Sequence, residues 1–250
     1  MAMVELVPRM RCYWYCSLHE HHGDGVRGPK SVALQSVSEI GCHMPLMTRN
    51  LSTYIVAGWI AFVKFYLDIR SRHERVFYEI VQGEQPCKLY FDVDLSTVGV
   101  VTDIYIPEKF AKFESALQQH IAHLVALRYC VQVDTEPVVL CATTSVKFSR
   151  HYIFPGVLFA DVVEMDGFVK ELVTLMAPQH SEANWIDLGV YQPGRNFRIY
   201  NSQKKDSNNP LRMLSHKHYS EPERLIKSMI TMLRFREVEV GDDDLFKYVT

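Results

Sequence analysis

The sequence predicts a mixed α/β domain of the α+β kind, with a partly antiparallel sheet interleaved with amphipathic helices. Three observations predict it. Runs rich in β-branched and aromatic residues alternate with segments of helical period, and a Pro-Gly turn separates two short extended segments late in the chain. No GxxxxGK[ST] or GxGxxG loop follows any strand, which argues against P-loop and Rossmann nucleotide sites. At 250 residues, with 48% hydrophobic and 22% charged residues, the chain has material for a large core and lacks the composition of a disordered one.

The elements follow from local pattern. Residues 1–50 mix Gly, Pro, His and basic residues without sustained period and are expected to be irregular. Cys12 and Cys16 lie near His19, His21 and His22, but this CxxxC has no second pair at ligand spacing. No zinc site is expected in this chain. The absence of a secretory leader pattern at Met1–Arg11 makes a reducing compartment the expectation. The longest predominantly apolar run, Leu51 to Val63, falls short of the roughly 20 residues of a membrane span, and no membrane partner is expected. It is read instead as a buried helix over Ser52–Leu67, capped by Ser52, with Ile55, Ile60, Val63 and Leu67 inward.

Strand character then dominates. Val76–Val81 and Cys87–Leu95 flank a turn at Gly83–Pro86, and the second strand alternates Leu89, Phe91 and Val93 with Tyr90, Asp92 and Asp94. Pro107 opens a helix whose Phe110, Phe113, Leu117, Ile121 and Leu124 recur at helical spacing. Pro137–Thr143 and Val146–Phe154 read as two more strands. Asp161 with Glu164 then starts a helix carrying Met165, Phe168, Leu172 and Leu175. A β-hairpin is expected from Asp187–Tyr191 and Asn196–Tyr200, turning at Pro193-Gly194. Ser220 and Glu223 form a capping box with Pro222 ahead of Leu225, Ile226, Met229 and Leu233. The division is an N-terminal segment 1–50, a core 51–235 and an acidic tail 236–250.

Chemistry concentrates in three places. Asp92 and Asp94 project from one face of a strand, so their carboxylates can bind hard divalent cations together. Asp187, after Trp185 and Ile186, offers a third carboxylate at the sheet's end. Three carboxylates on neighbouring strands can hold two Mg²⁺ or Mn²⁺ ions about 3.5–4 Å apart, the arrangement that activates an attacking hydroxyl and steadies a leaving oxygen. Lys147, Ser149 and His151 alternate, and so present an ammonium, a hydroxyl and an imidazole in one row suited to phosphate oxygens. Between Arg195 and Lys217 the chain carries Arg195, Arg198, Lys204, Lys205, Arg212 and Lys217 against the single acid Asp206, although its overall formal charge is −2. Local positive charge beside carboxylates fits a triphosphate or a nucleic-acid backbone.

Together PCKLYFDVDL (Pro86–Leu95), KFSRHYIF (Lys147–Phe154) and IDLGVYQPGRNFRIYNSQKK (Ile186–Lys205) resemble, in order and spacing, the three motifs of the archaeo-eukaryotic primase superfamily. The match is nearest to its eukaryotic primase-polymerase (PrimPol) branch, with herpes-pox primase relatives. The resemblance covers roughly half the chain. It implies a mixed α/β core with an RRM-like palm, two divalent cations, nucleoside triphosphates, and a DNA template with primer. It also implies Asp92, Asp94 and Asp187 as metal ligands, with Lys147, Ser149, His151, Arg195, Arg198 and Lys204 holding the nucleotide's phosphates. The implied work is primer extension in damage tolerance or repriming, in the nucleus with the mitochondrion as the alternative. Two features depart from the pattern. Asp94 stands where PrimPol commonly has Glu, and that family's Cys/His zinc module, which supports de novo priming, has no counterpart after Cys141. Two other readings are a nucleotide- or nucleic-acid-binding module without useful catalysis, and a DxD transferase with a sugar-nucleotide donor. The acidic tail with Leu245 and Phe246 offers a dock for a single-strand-binding or replication protein.

Overall fold

The computed structural model describes residues 26–28, 44–47, 54–57, 59–69, 75–81, 83, 85–96, 105–214 and 217–233. Among these, nine strands form two antiparallel sheets and four α-helices pack around them, a mixed α/β architecture. The first sheet has the order β1-β3-β2-β4-β8: β1 (Val26–Gly28), β2 (Met44–Met47), β3 (Tyr54–Ala57), β4 (Tyr78–Val81) and β8 (Arg195–Arg198). The second is β5-β7-β6-β9, built from β5 (Cys87–Ser96), β6 (Val138–Cys141), β7 (Lys147–Phe159) and β9 (Arg212–Leu214). The helices are α1 (Trp59–Asp68), α2 (Tyr105–Tyr129), α3 (Val162–Met176) and α4 (Glu221–Ser228).

The period-two pattern of β5 sets the layering. Leu89, Phe91 and Val93 are buried on one face with Phe148, Tyr152 and Phe154 of β7, under the apolar stripes of α2 and α3. Phe113 of α2 meets Tyr152 edge-on, and Phe168 of α3 packs on Phe159. Arg128 of α2 and Glu171 of α3 pair across the two helices. The other face of β5 carries Tyr90, Asp92 and Asp94. It looks toward the first sheet, where Phe197 of β8 lies on Tyr90 at 4.5 Å between ring centroids.

Caps act where the sequence places them. Asp161 accepts hydrogen bonds from the N–H groups of Val163 and Glu164 at 2.8 Å each, and Ser220 with Glu223 completes a capping box on α4.

Four expectations are corrected. Residues 26–28 and 44–47, expected to be irregular, are strands that extend the first sheet. The helix read from Ser52 starts only at Trp59, because Tyr54–Ala57, rich in β-branched residues, pairs between β1 and β2. Ser52 itself lies outside the described residues. In α3 the stripe closes on Val169 and Met176, while Leu175 is 44% exposed.

The fourth is the hairpin of Asp187–Tyr191 with Asn196–Tyr200, which does not form. Leu188–Val190 is a 3₁₀ turn capped by the Asp187 carboxylate, and β8 pairs with β4 instead. The Pro-Gly turn is real, with Gly194 at φ 75° donating its N–H to Val81 O at 2.6 Å. It steers the chain into the first sheet and not back on itself. The Cys/His cluster before Gly23 and the tail 236–250 lie outside the described residues.

Candidate active site

The central pairing of the second sheet builds the site. Antiparallel register sets Asp92 opposite His151, Asp94 opposite Ser149, and Ser96 opposite Lys147. Directly opposed Cβ atoms lie about 4.5–5.5 Å apart, so the row of carboxylates and the row of phosphate-type donors run side by side on one face. Lys147 Nζ donates to Asp94 Oδ2 at 2.6 Å. His151 Nε2 stands 3.6 Å from Asp92 Oδ1, too far for a hydrogen bond.

Asp187 reaches the pair by a route other than a strand. A single β-bridge joins Ile186 to Val93, and the Asp187 N–H donates to Asp92 O at 2.8 Å. Its carboxylate accepts from Gly189 N at 2.8 Å, which both caps the 3₁₀ turn and fixes the side chain beside β5. Upstream, Trp185 stacks on Phe110 of α2, so an aromatic contact anchors the segment that delivers this acid.

The three acids repel one another within one field. Asp92 is pushed up to about 7, first by burial and then by the charges of Asp94 and Asp187, with Lys147 and Lys204 opposing. His151 is held well below its ordinary value by burial and by Arg198 and Lys204, so it is neutral at physiological pH and its contact with Asp92 is no ion pair. Its ring rests on Phe197 at 4.3 Å. Arg198, 6% exposed, is lowered by burial while Tyr78, Asp92 and Asp94 hold its charge, and its guanidinium makes a long 3.5 Å hydrogen bond to Asn209 O.

Several polar atoms here are buried without a hydrogen-bond partner among the described residues: Asp92 Oδ1, Asp94 Oδ1, His151 Nδ1 and Arg198 Nε. Two acceptors suited to a hard cation and donors suited to an anion are thus left open beside one another. Among the described residues no three acid, imidazole or thiol groups close around a single point as a ready metal cage.

Arg195, by contrast, is exposed and its guanidinium donates to Gln192 Oε1 at 3.2 Å. Lys204 is exposed but acts on both Asp92 and His151. Sequence pattern alone passed over Tyr78, which stands opposite Arg198 in the β4–β8 register, and Phe197, which supports His151. An aromatic immediately before a site arginine was the available signal for Phe197. For Tyr78 there was none, because only the cross-strand register brings it there.

No family model matches this chain. It is 27% identical to the DNA-directed primase/polymerase protein of Mus musculus over 186 residues, covering 51% of this chain and 34% of that protein. It is 22% identical over 208 residues to the uncharacterized protein ORF49 of Ostreid herpesvirus 1 (isolate France), covering 70% of this chain and 18% of that protein. The chain thus spans about a third of the first relative and under a fifth of the second. The first similarity supports a distant relationship to primase-polymerases.

Proposed function

We propose that this chain carries the catalytic core of a primase-polymerase, with a primase-type palm, that adds nucleotides to a primer on a DNA template. The observation that carries the reading is the pairing of open Asp92 and Asp94 oxygens, with Asp187 beside them, against the Lys147–Ser149–His151 row and Arg198. The distant similarity to a mouse protein named for this activity supports it.

Asp92, Asp94 and Asp187 would hold two Mg²⁺ or Mn²⁺ ions, which when bound lower the pKa of a 3′-hydroxyl and neutralise the departing pyrophosphate. The remaining steps belong to the chain's own groups. Lys147, already on Asp94, is placed to exchange that carboxylate for a phosphate oxygen. Arg198 and Lys204 bring positive charge to the same face, and Ser149 adds a hydroxyl donor. Neutral His151, backed by Phe197, hydrogen-bonds a phosphate, and burial with the charges of Arg198 and Lys204 disfavours the protonation that a base would need. Burial of Ser149 and His151 limits water at that end of the row and strengthens their contacts.

The binding-module reading keeps one observation on its side: Asp94 and Asp187 are already engaged, by Lys147 and by Gly189 N. An extension assay separates the two. The native chain should extend a labelled primer on a template with Mg²⁺ or Mn²⁺, and Asp92→Ala with Asp94→Ala should abolish product. Nucleotide or DNA binding without extension under any metal would establish the binding module, and product from a sugar nucleotide with no DNA-dependent triphosphate use would establish a DxD transferase.

A further inference from the structure

Two buried ions outside the carboxylate site stitch the segment after α4 to both sheets. Glu79 of β4 is fully buried, and its carboxylate accepts the N–H of Ile230 at 2.8 Å, the N–H of Thr231 at 3.1 Å and the Thr231 hydroxyl at 2.8 Å. Lys88 of β5 is 2% exposed and donates from Nζ to Met229 O at 2.7 Å and Lys227 O at 3.4 Å. Its backbone N–H donates to Ile230 O at 2.8 Å. Met229–Thr231 is therefore bonded to β4 on one side and β5 on the other, and these strands belong to different sheets.

Each anchor leads to the candidate site. Glu79 stands opposite Phe197 of β8, whose ring lies on His151 and Tyr90, and the next residue is Arg198. Lys88 shares its face of β5 with Asp92, four residues or about 13 Å along the strand. Apolar side chains of similar size would fill the same space without desolvating two charges. What the ions add is direction, because three donors converge on one carboxylate and fix where the strap crosses.

We propose that Glu79 and Lys88 are positioning residues: through Met229–Thr231 they set the gap between the sheet carrying Arg198 and the sheet carrying Asp92, Asp94 and His151, and hence the affinity for a triphosphate gripped from both. This rests on the nucleotide-site reading above. No hydrogen bond between the two ions is needed, since the strap's backbone connects them.

The test uses the full chain with Glu79→Gln, Lys88→Met and the milder Thr231→Val, beside Phe168→Leu, a core change in α3 remote from the strap. Calorimetric binding of dATP with Mn²⁺ should weaken about 5- to 10-fold in the first two and about 2- to 3-fold in Thr231→Val, with the incorporation rate at saturation within about twofold of the native rate. Phe168→Leu should lower Tm while leaving dATP affinity unchanged. Amide exchange should quicken in Glu79→Gln at Ile230 and Thr231 and also along Arg195–Arg198. Folded strap variants with native dATP affinity, or exchange confined to the strap, would overturn the proposal. A native chain that takes up no dATP contradicts the nucleotide reading itself, and the exchange comparison still decides whether the strap couples the sheets.

Discussion

Asp92 stands where its own charge is unwelcome. Its ordinary value of 3.8 rises to about 7 in the folded chain, so between these values the folded state binds a proton that the unfolded state has lost. The cost of ionising it is absent below about pH 4, grows as pH rises, and is complete above about 7. A three-unit shift corresponds to about 4 kcal/mol at the most, and partial exposure reduces it. Asp92→Asn should therefore stabilise the metal-free chain at pH 8 by on the order of 2 kcal/mol, a Tm rise of roughly 4–8 °C, and change little at pH 4. Thermal melts at both values check this, and an unchanged or lower Tm at pH 8 would contradict it.

Arg198 is the complementary case, a nearly buried guanidinium beside two acids. Arg198→Lys keeps the charge but loses the planar fork. It should raise KM for the nucleotide by about 10-fold or more with a smaller change in kcat, in steady-state incorporation assays. The acids and the Lys147–His151 row were legible in the sequence because period-two alternation states which side chains share a face. The distinction between buried Arg198 and exposed Arg195 was not, since it depends on β8 leaving its expected hairpin for β4.

Among the elements, those with their own punctuation were the legible ones. Asp161 and the Ser220–Glu223 box start α3 and α4 where a cap was expected, and each lies ahead of a buried apolar stripe. Asp161→Ala removes two hydrogen bonds and should cost about 1 kcal/mol, lowering Tm by roughly 2–4 °C without changing nucleotide affinity. A larger fall in affinity than in stability would show that α3 matters to the site.

The elements misjudged were those decided by distant partners. Asp187–Tyr191 alternates like a strand, yet the Asp187 carboxylate closes a local turn and Tyr191 sends its hydroxyl 2.8 Å to Tyr90 O, which holds the segment against β5 without pairing it. Tyr54–Ala57 carries apolar spacing compatible with a helix, and only β1 and β2 on either side make it a strand. β7 likewise runs on past Phe154 to Phe159, through the register shift opposite Lys88 and Leu89.

On the scale of the fold, two antiparallel sheets meet among the described residues where Phe197 of β8 packs on Tyr90 of β5, and the basic stretch between Arg195 and Lys217 begins on β8. Net charge of −2 hides this, so any nucleic-acid footprint comes from local charge. Lys205 and Arg212 are exposed on that segment. Lys205→Gln with Arg212→Gln should weaken primer-template binding and reduce the slope of log affinity against log salt by about 1–2, while dATP affinity stays the same. Fluorescence anisotropy across a salt series measures it, and an unchanged slope would place the nucleic acid elsewhere.

On the proposed function, the open oxygens of Asp92 and Asp94, with Asp187, take two divalent cations together with a nucleoside triphosphate. Manganese titration followed by electron paramagnetic resonance, with and without dATP, tests it most directly. Two Mn²⁺ per chain are expected in the presence of dATP, close enough for their spins to couple, with loss of both the count and the coupling in Asp92→Asn. A native chain that binds dATP with no Mn²⁺ beyond what free nucleotide carries, or an Asp92→Asn chain that binds both ions unchanged, would contradict it.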